Sequence, residues 1–460
     1  MIPYVAPTDN VVGFMSRVAF DYLISVVNPS VLPKEILALP RKLGVNFHDA
    51  LLPQYAGTHA TTWALINGEQ THGVTWHEMT EHVDAGHILK QRAVDLSEDE
   101  TTFSLNVKCY EAGIQSFAEL TADISAGRLA PNDPRLHERT YFSKYRRPDS
   151  AAVISWDRPA EEIKSLVQAL TFGPYQNPMG LAKIYLGEEA IIVQEVDILN
   201  APSQVAPGTV TDFRKGGIHV ATGSRDVVLR ALLTIDGQSL PVGELEHRFD
   251  VRVGQRLAEI GREQAESLTT LDNNLAEHER FWVRALSRFE PLCLPYAHQS
   301  ASSVGPAHQA SAPIAVSNAL AAWAGRLPGW DVGDLLIATF AVYLSRLGDK
   351  GEFDLGFSEP ALRQELGGLQ SLFATQVPLH VNFGQENSIG EALQAVLDAI
   401  MLVRTHKTYA RDVIGRYPEL SSLPTQGGQP SYSVAAEYVE DMDSYELHPG
   451  GELVLIVAPN

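Results

Sequence analysis

Over the first 125 positions, apolar residues fall in short runs and one long stripe. Residues 20–28 alternate weakly and then run apolar, as a strand buried on both faces would, and Pro29 stops the run. Residues 33–43 have helical propensity and a basic end at Arg41-Lys42, which suits a short crossover helix. Further short strands are expected at 45–48, 73–77 and 88–96, with a helix at 58–67 between the first two. Leu105, Val107, Ile114, Phe117, Leu120 and Ile124 repeat with a period near 3.6 and predict a helix over 102–125. Strands alternating with helices predict a parallel α/β sheet.

Beyond this block the pattern changes. Residues 131–148 form a polar, basic connector containing Lys144, Arg146 and Arg147, read as a solvated face or as an attractor for an acidic surface. A helical stretch at 160–170 leads into short alternating strands at 183–186, 190–196, 217–222 and 227–235, with a Pro207-Gly208-Thr209 turn among them. Several short strands with turn signals predict a small barrel. Residues 240–274 are polar and helical in pattern and form a bridge. Residues 298–313 make a Ser/Ala/Gln-rich loop, and the remainder predicts a helix at 331–347 and strands at 353–357 and 377–382.

The 460 residues fit roughly three domains of about 150 each. A hydrophobic content of 45% with 20% charged residues is that of a globular chain. The formal charge of −21 disfavours a polyanionic substrate, so no nucleic-acid partner is expected. Cys109 and Cys293, far apart, imply a reducing compartment without a disulfide framework. No run of about 18 apolar residues and no basic-then-apolar start is present, which predicts a cytoplasmic protein with no membrane partner.

Asn46-Phe47-His48-Asp49-Ala50-Leu51-Leu52-Pro53, followed by Val83-Asp84-Ala85-Gly86, supplies an amide, an imidazole and a carboxylate. An amide N–H stabilises charge on a carbonyl oxygen, an imidazole moves an amine proton, and a carboxylate orients the imidazole. His72, His77, His82 and His87 recur every five residues, a spacing that aligns on neither a strand face nor a helix face, so no metal site is expected. Trp63, Trp76 and Trp156 have apolar neighbours and read as core.

The stretch from Asn46 to Gln91 resembles the 10-formyltetrahydrofolate-dependent formyltransferase family, whose signature is Asn-x-His-x-Ser-Leu-Leu-Pro and then Asp-x-Gly. Gly57-Thr58-His59-Ala60 and Gly73-Val74-Thr75-Trp76-His77 fill the positions between. Ala50 stands where the family has serine, and His87 where a second acid is common. The resemblance implies catalytic roles for Asn46, His48 and Asp84, with Asp84 holding the His48 tautomer. It also implies a 10-formyltetrahydrofolate pocket at Ser30, Val31, Leu32, Pro33, Thr80 and Val83. Against the family, a βαβ unit of roughly 60 residues is missing at the front, taking ~30 residues per unit. A shortened sheet edge should expose apolar surface and unpaired backbone.

Glu279-Arg280-Phe281-Trp282 and Leu292-Cys293-Leu294-Pro295 resemble a mid-chain landmark of nonribosomal peptide synthetase condensation domains, though no His-His-x-x-x-Asp-Gly motif is present. The implied architecture is α/β: a truncated Rossmann-like formyltransferase sheet over 1–135, an OB-like β-barrel subdomain over 148–245, a linker over 246–274, and an α+β half condensation-domain lobe over 275–460. The implied function is an N-formyltransferase acting on the amine of an aminoacyl group held by a peptidyl carrier protein, working beside the adenylation domain of a synthetase. A hydroxyornithine or amino-sugar acceptor keeps the chemistry. A catalytically degenerate module serving as a docking platform is the alternative from another class.

Overall fold

The chain adopts its expected elements because polar and apolar positions alternate where strands form and repeat at helical spacing where helices form. The computed structural model describes residues 11–28, 30–213, 216–294, 311–324, 330–348, 350–384, 388–426, 428–442 and 452–458. Two compact units emerge. One contains Met1–Arg146, Ile154–Asn177 and Gln194–Arg230, the other Arg147–Val153, Pro178–Val193 and Ala231–Asn460.

The first unit is built on a four-stranded sheet of β1 (Tyr22–Ser25), β2 (Leu43–His48), β4 (Thr71–Glu78) and β5 (Ile88–Asp95), in that order; the short β3 (Ala56–Gly57) lies outside it. Only β1 and β2 run parallel, so the expected all-parallel sheet is mixed. Between β4 and β5 the reason is length: the nine residues from Met79 to His87 carry no crossover helix, and a link that short returns the chain antiparallel. β2 and β4 are antiparallel as well, although a helix at Ala60–Ile66 lies between them.

Alternation along β2 and β4 sends Val45, Phe47, Val74 and Trp76 to one face and Asn46, His48, Thr75 and His77 to the other. Helix Thr102–Ser125 covers the first face. Its start is fixed by a capping box in which Thr101 and Ser104 satisfy each other's backbone N–H groups, a device whose cap residue is worth about 1 kcal/mol. Gly113 lets this helix approach closely, because a Cβ there would stand 2.7 Å from the Phe47 ring. Phe47 and Trp76 pack with ring centroids 5.1 Å apart, and the Trp76 indole N–H donates to Ser116 Oγ at 3.0 Å. Trp63 and Trp156 are buried as well.

β1 is an edge strand, and in the segment that follows it Val27 and Val31 show 65% and 75% of their surface. Further on, helix Ala160–Ala169 abuts the long helix's start, where Thr102 Oγ1 donates to Ala169 O at 2.7 Å. Ile218–Val220 pairs antiparallel with both Val210–Asp212 and Arg225–Thr234. Among the described residues no pairing closes these short strands into the expected barrel.

In the second unit Glu352–Ser358 pairs antiparallel with Val377–Asn382 and parallel with Val434–Tyr438, which pairs parallel with Leu453–Val457. Helices Val332–Gly348 and Ile389–His406 pack in the same core as Trp282, Phe353 and Phe357. The polar bridge consists of helices Val242–Phe249 and Arg262–Ala276. Pro295 and residues 298–310 lie outside the described residues.

Candidate active site

Register brings the site together. Asn46 and His48, two apart on β2, share a face, and Asn46 lies directly across from His77 on β4. The β4–β5 loop then delivers Asp84 to that face. Asp84 adopts φ 51°, a left-handed conformation that aspartate tolerates, and Gly86 is required because a Cβ there would overlap the Glu78 carbonyl. The three predicted groups therefore meet at one place: His48 Nδ1 lies 3.7 Å from Asp84 Oδ2, and Asn46 reaches Asp84 through His77.

His77 is the site residue that sequence reasoning missed. Its Nδ1–H donates to the Glu78 carbonyl at 2.8 Å, leaving Nε2 at 3.2 Å from Asn46 Nδ2 and 3.3 Å from Asp84 Oδ1. A neutral His77 accepts the Asn46 N–H; a protonated one donates to Asp84 instead. The imidazole thus sets whether the Asn46 amide is held. The only sequence signal for this was strand pairing, which fixes His77 opposite Asn46 once the register is known.

His48 is buried and its Nε2 sits 2.8 Å from the Tyr55 carbonyl. A carbonyl only accepts, so Nε2 carries the proton and Nδ1 has the lone pair. The expected role of Asp84 is corrected here: Tyr55, not Asp84, fixes the tautomer, since 3.7 Å is too long for a hydrogen bond. Asp84 Oδ2 and Asp49 Oδ1, at 3.7 and 3.9 Å from Nδ1, are instead placed to stabilise the imidazolium formed when that nitrogen takes a proton.

Burial works against ionisation of Asp84, but the His77 hydrogen bond, the nearby His48 and the Gly57 N–H outweigh it and bring its carboxyl down to about 2. The Gly57 N–H donates to Oδ2 at 2.8 Å. Asp84 is a carboxylate at every working pH.

The outer wall is the connector. β6 (Tyr141–Phe142) pairs parallel with β3, with Ala56 N–H donating to Thr140 O at 3.0 Å and Thr58 N–H to Phe142 O at 3.1 Å. This pairing pins the Tyr55 carbonyl and the Gly57 N–H that hold His48 and Asp84. Gly57, at φ 104°, has no room for a Cβ against the Phe142 carbonyl.

Of the predicted folate residues, Ser30, Val31, Pro33, Thr80 and Val83 are exposed and Leu32 is half-buried. The two loops that carry them are linked by a Lys34 Nζ–Glu81 Oε1 ion pair at 2.8 Å. Ala50 is fully buried, with its carbonyl accepting the Thr75 hydroxyl at 2.6 Å. His72 donates through Nε2 to Asp49 O at 2.7 Å, and exposed His87 lies between Glu78 and Asp133 at 2.5 and 3.0 Å. Among the described residues no three His, Cys, Asp or Glu side chains gather as metal ligands. Arg147, expected in the solvated connector, is buried 3.9 Å from Glu279.

Residues 7–121 match the family model described as Formyl transferase, and residues 148–247 match Formyl transferase, C-terminal domain. A methionyl-tRNA formyltransferase of Clostridium tetani is 29% identical over 221 residues, spanning 48% of this chain and 69% of that protein. Another, from Citrifermentans bemidjiense, is 29% identical over 234 residues, spanning 51% and 70%. Among solved structures, the N-formyltransferase of Helicobacter canadensis in complex with folinic acid and dTDP-3-aminofucose aligns at TM-score 0.38 and 19% identity, over 45% of this chain and 72% of that one. HypX of Aquifex aeolicus in complex with tetrahydrofolic acid aligns at TM-score 0.39 and 15% identity, over 58% and 50%.

Proposed function

We propose that residues 7–247 form a folate-dependent N-formyltransferase whose acceptor is the amine of an aminoacyl group tethered to a carrier protein. Formyl transfer is the reaction class that both matched family models support. The observation that carries the reading is the convergence of Asn46, His48, His77 and Asp84 on one sheet face. 10-Formyltetrahydrofolate, when bound, supplies an activated formyl group on nitrogen. Exposed Val31 and Val83, on loops joined by Lys34 and Glu81, offer the apolar rim a flat ring needs, so the residues present fit such a donor. Ser30, Leu32, Pro33 and Thr80 belong to the same two loops.

Each residue then has a task that follows from its geometry. Asn46, steadied by His77, turns its second amide N–H toward the formyl oxygen and stabilises the charge that develops there. His48 Nδ1 takes the proton that the attacking amine loses and returns it to the departing nitrogen. Tyr55 keeps Nδ1 free for this, while Asp84 and Asp49 stabilise the charged ring. Proton transfer by a placed side chain contributes on the order of 10² to 10⁴ in rate.

The choice of acceptor rests on the rear unit. The helix Glu279–Ser287 buries Trp282, whose indole N–H donates to His406 O at 2.9 Å, and the paired strands Glu352–Ser358 and Val377–Asn382 sit in the same core. Together with the condensation-like landmark in the sequence, these support a partial condensation lobe with a docking or spacer role beside a carrier protein and an adenylation domain. Incubation with 10-formyltetrahydrofolate and an aminoacyl-loaded carrier protein, read by mass, is expected to add one formyl group per carrier. Formylation of an amino sugar in place of the loaded carrier overturns the acceptor. Formylation of neither overturns the enzyme reading in favour of a docking platform.

A further inference from the structure

We propose that Arg139 anchors the phosphate of the acceptor's tether at the edge of the active site, an assignment that rests on the carrier-bound acceptor proposed above. The chain carries 56 acidic against 35 basic residues, so most guanidinium groups find a carboxylate. Arg139 does not: among the described residues no carboxylate lies within ion-pair distance of it, although Arg135, four residues earlier, pairs with Glu138 at 2.9 Å. Instead, Arg139 Nη2 donates to the Val83 carbonyl at 3.0 Å, and its guanidinium lies 4.9 Å from the centroid of the Tyr141 ring. Its Nε–H is buried without any acceptor. An unmet donor of that kind costs about 1–3 kcal/mol unless something accepts from it.

The position gives the unmet charge a use. Val83 immediately precedes Asp84, and Tyr141 belongs to the strand that pins Tyr55 and Gly57 against His48 and Asp84. Arg139 is therefore tied both to the loop that carries Asp84 and to the strand that backs the site. Tyr141, half-exposed beneath the guanidinium, keeps the planar group fixed, and exposed Lys144 and Arg146 follow on the same connector. A planar, always-charged fork matches phosphate oxygens better than any other side chain. Carrier proteins hold their aminoacyl groups through a phosphopantetheine arm, which places one phosphodiester at a fixed distance behind the reacting amine. Arg139 recognises that phosphate.

The test compares an aminoacyl-4′-phosphopantetheine acceptor with the same acceptor lacking the phosphate, in the full chain and in Arg139→Gln. The wild type is expected to show a KM about tenfold lower for the phosphorylated acceptor, the size of one charge-assisted hydrogen bond. Arg139→Gln should bring the two KM values together. The inference is overturned if the wild type treats both acceptors alike, if the variant keeps the preference, or if it loses the same factor on both, as a residue that only supports the Val83 loop would. Should neither acceptor be formylated, the carrier reading fails separately. Titration with 4′-phosphopantetheine and pantetheine then decides the phosphate site: tighter phosphate-dependent binding lost in Arg139→Gln supports it, and equal binding overturns it.

Discussion

At the scale of single residues, two histidines are held in opposite tautomers. His48 presents a bare Nδ1 because Tyr55 occupies Nε2, whereas His77 presents Nε2 because Glu78 occupies Nδ1. Replacing His77 by Phe removes the nitrogen that accepts from the Asn46 amide when neutral or donates to Asp84 when protonated, and should lower kcat about tenfold to a hundredfold while leaving KM for the donor near wild type. His77→Gln, able to accept from Asn46, should recover part of the loss. Asp84 carries a second consequence. Its carboxyl lies at about 2 in the folded chain against about 3.9 when unfolded, so it contributes about 2 kcal/mol. Because the folded value is the lower one, this contribution is full above pH 4 or so and disappears as pH falls toward 2. Urea midpoints of wild type and Asp84→Asn should differ at pH 6 and converge near pH 2. The convergence of Asn46, His48 and Asp84 was legible from sequence because motif order survives without coordinates. His77 was not, because a histidine on an alternating strand reveals nothing until its cross-strand partner is known.

Among the elements, the connector strand does more than join domains. β6 clamps β3, and through it the backbone groups that hold His48 and Asp84. Gly57→Ala should therefore lower both stability, by about 1–3 kcal/mol, and turnover, since a Cβ in a left-handed conformation meets the Phe142 carbonyl. Thermal unfolding and kcat together check this, and a loss of stability with full turnover would contradict it. A polar stretch with two strand residues offers no periodicity, so 131–148 read as a plain connector. By contrast the helix Thr102–Ser125 was legible to the residue, because its apolar positions keep helical spacing over 24 residues. In the rear unit, His278 and His406 face each other with Nδ1 atoms 3.1 Å apart, and His406 is pushed below its ordinary value by burial and by His278. One of the pair must stay neutral. The stability linked to His406 is full above about pH 6.5 and is lost as pH falls through its lowered folded value. His406→Gln should flatten that loss in a series of melts between pH 7.5 and 5.

At the scale of the whole molecule, an acidic chain protects a few unusual buried charges. Asp412 is held by Lys183 Nζ at 2.6 Å, Arg416 Nε at 2.8 Å and the Leu181 N–H at 3.2 Å, while Glu279 accepts from Arg416 at 2.7 Å and from the Tyr417 hydroxyl at 2.6 Å. Removing one partner from such a set strands the others, and Asp412→Ala should cost about 3–5 kcal/mol in denaturant unfolding. Nothing in the sequence pattern marked this cluster, whose members are scattered between Leu181 and Tyr417. The central claim concerns the other unit: that an amide, two imidazoles and a carboxylate on one sheet face move a formyl group. Its most direct test is single-turnover formyl transfer from 10-formyltetrahydrofolate, comparing wild type with His48→Ala at matched folded fraction. The variant is expected to transfer at least about a hundredfold more slowly, and transfer at the wild-type rate would rule out proton transfer by His48.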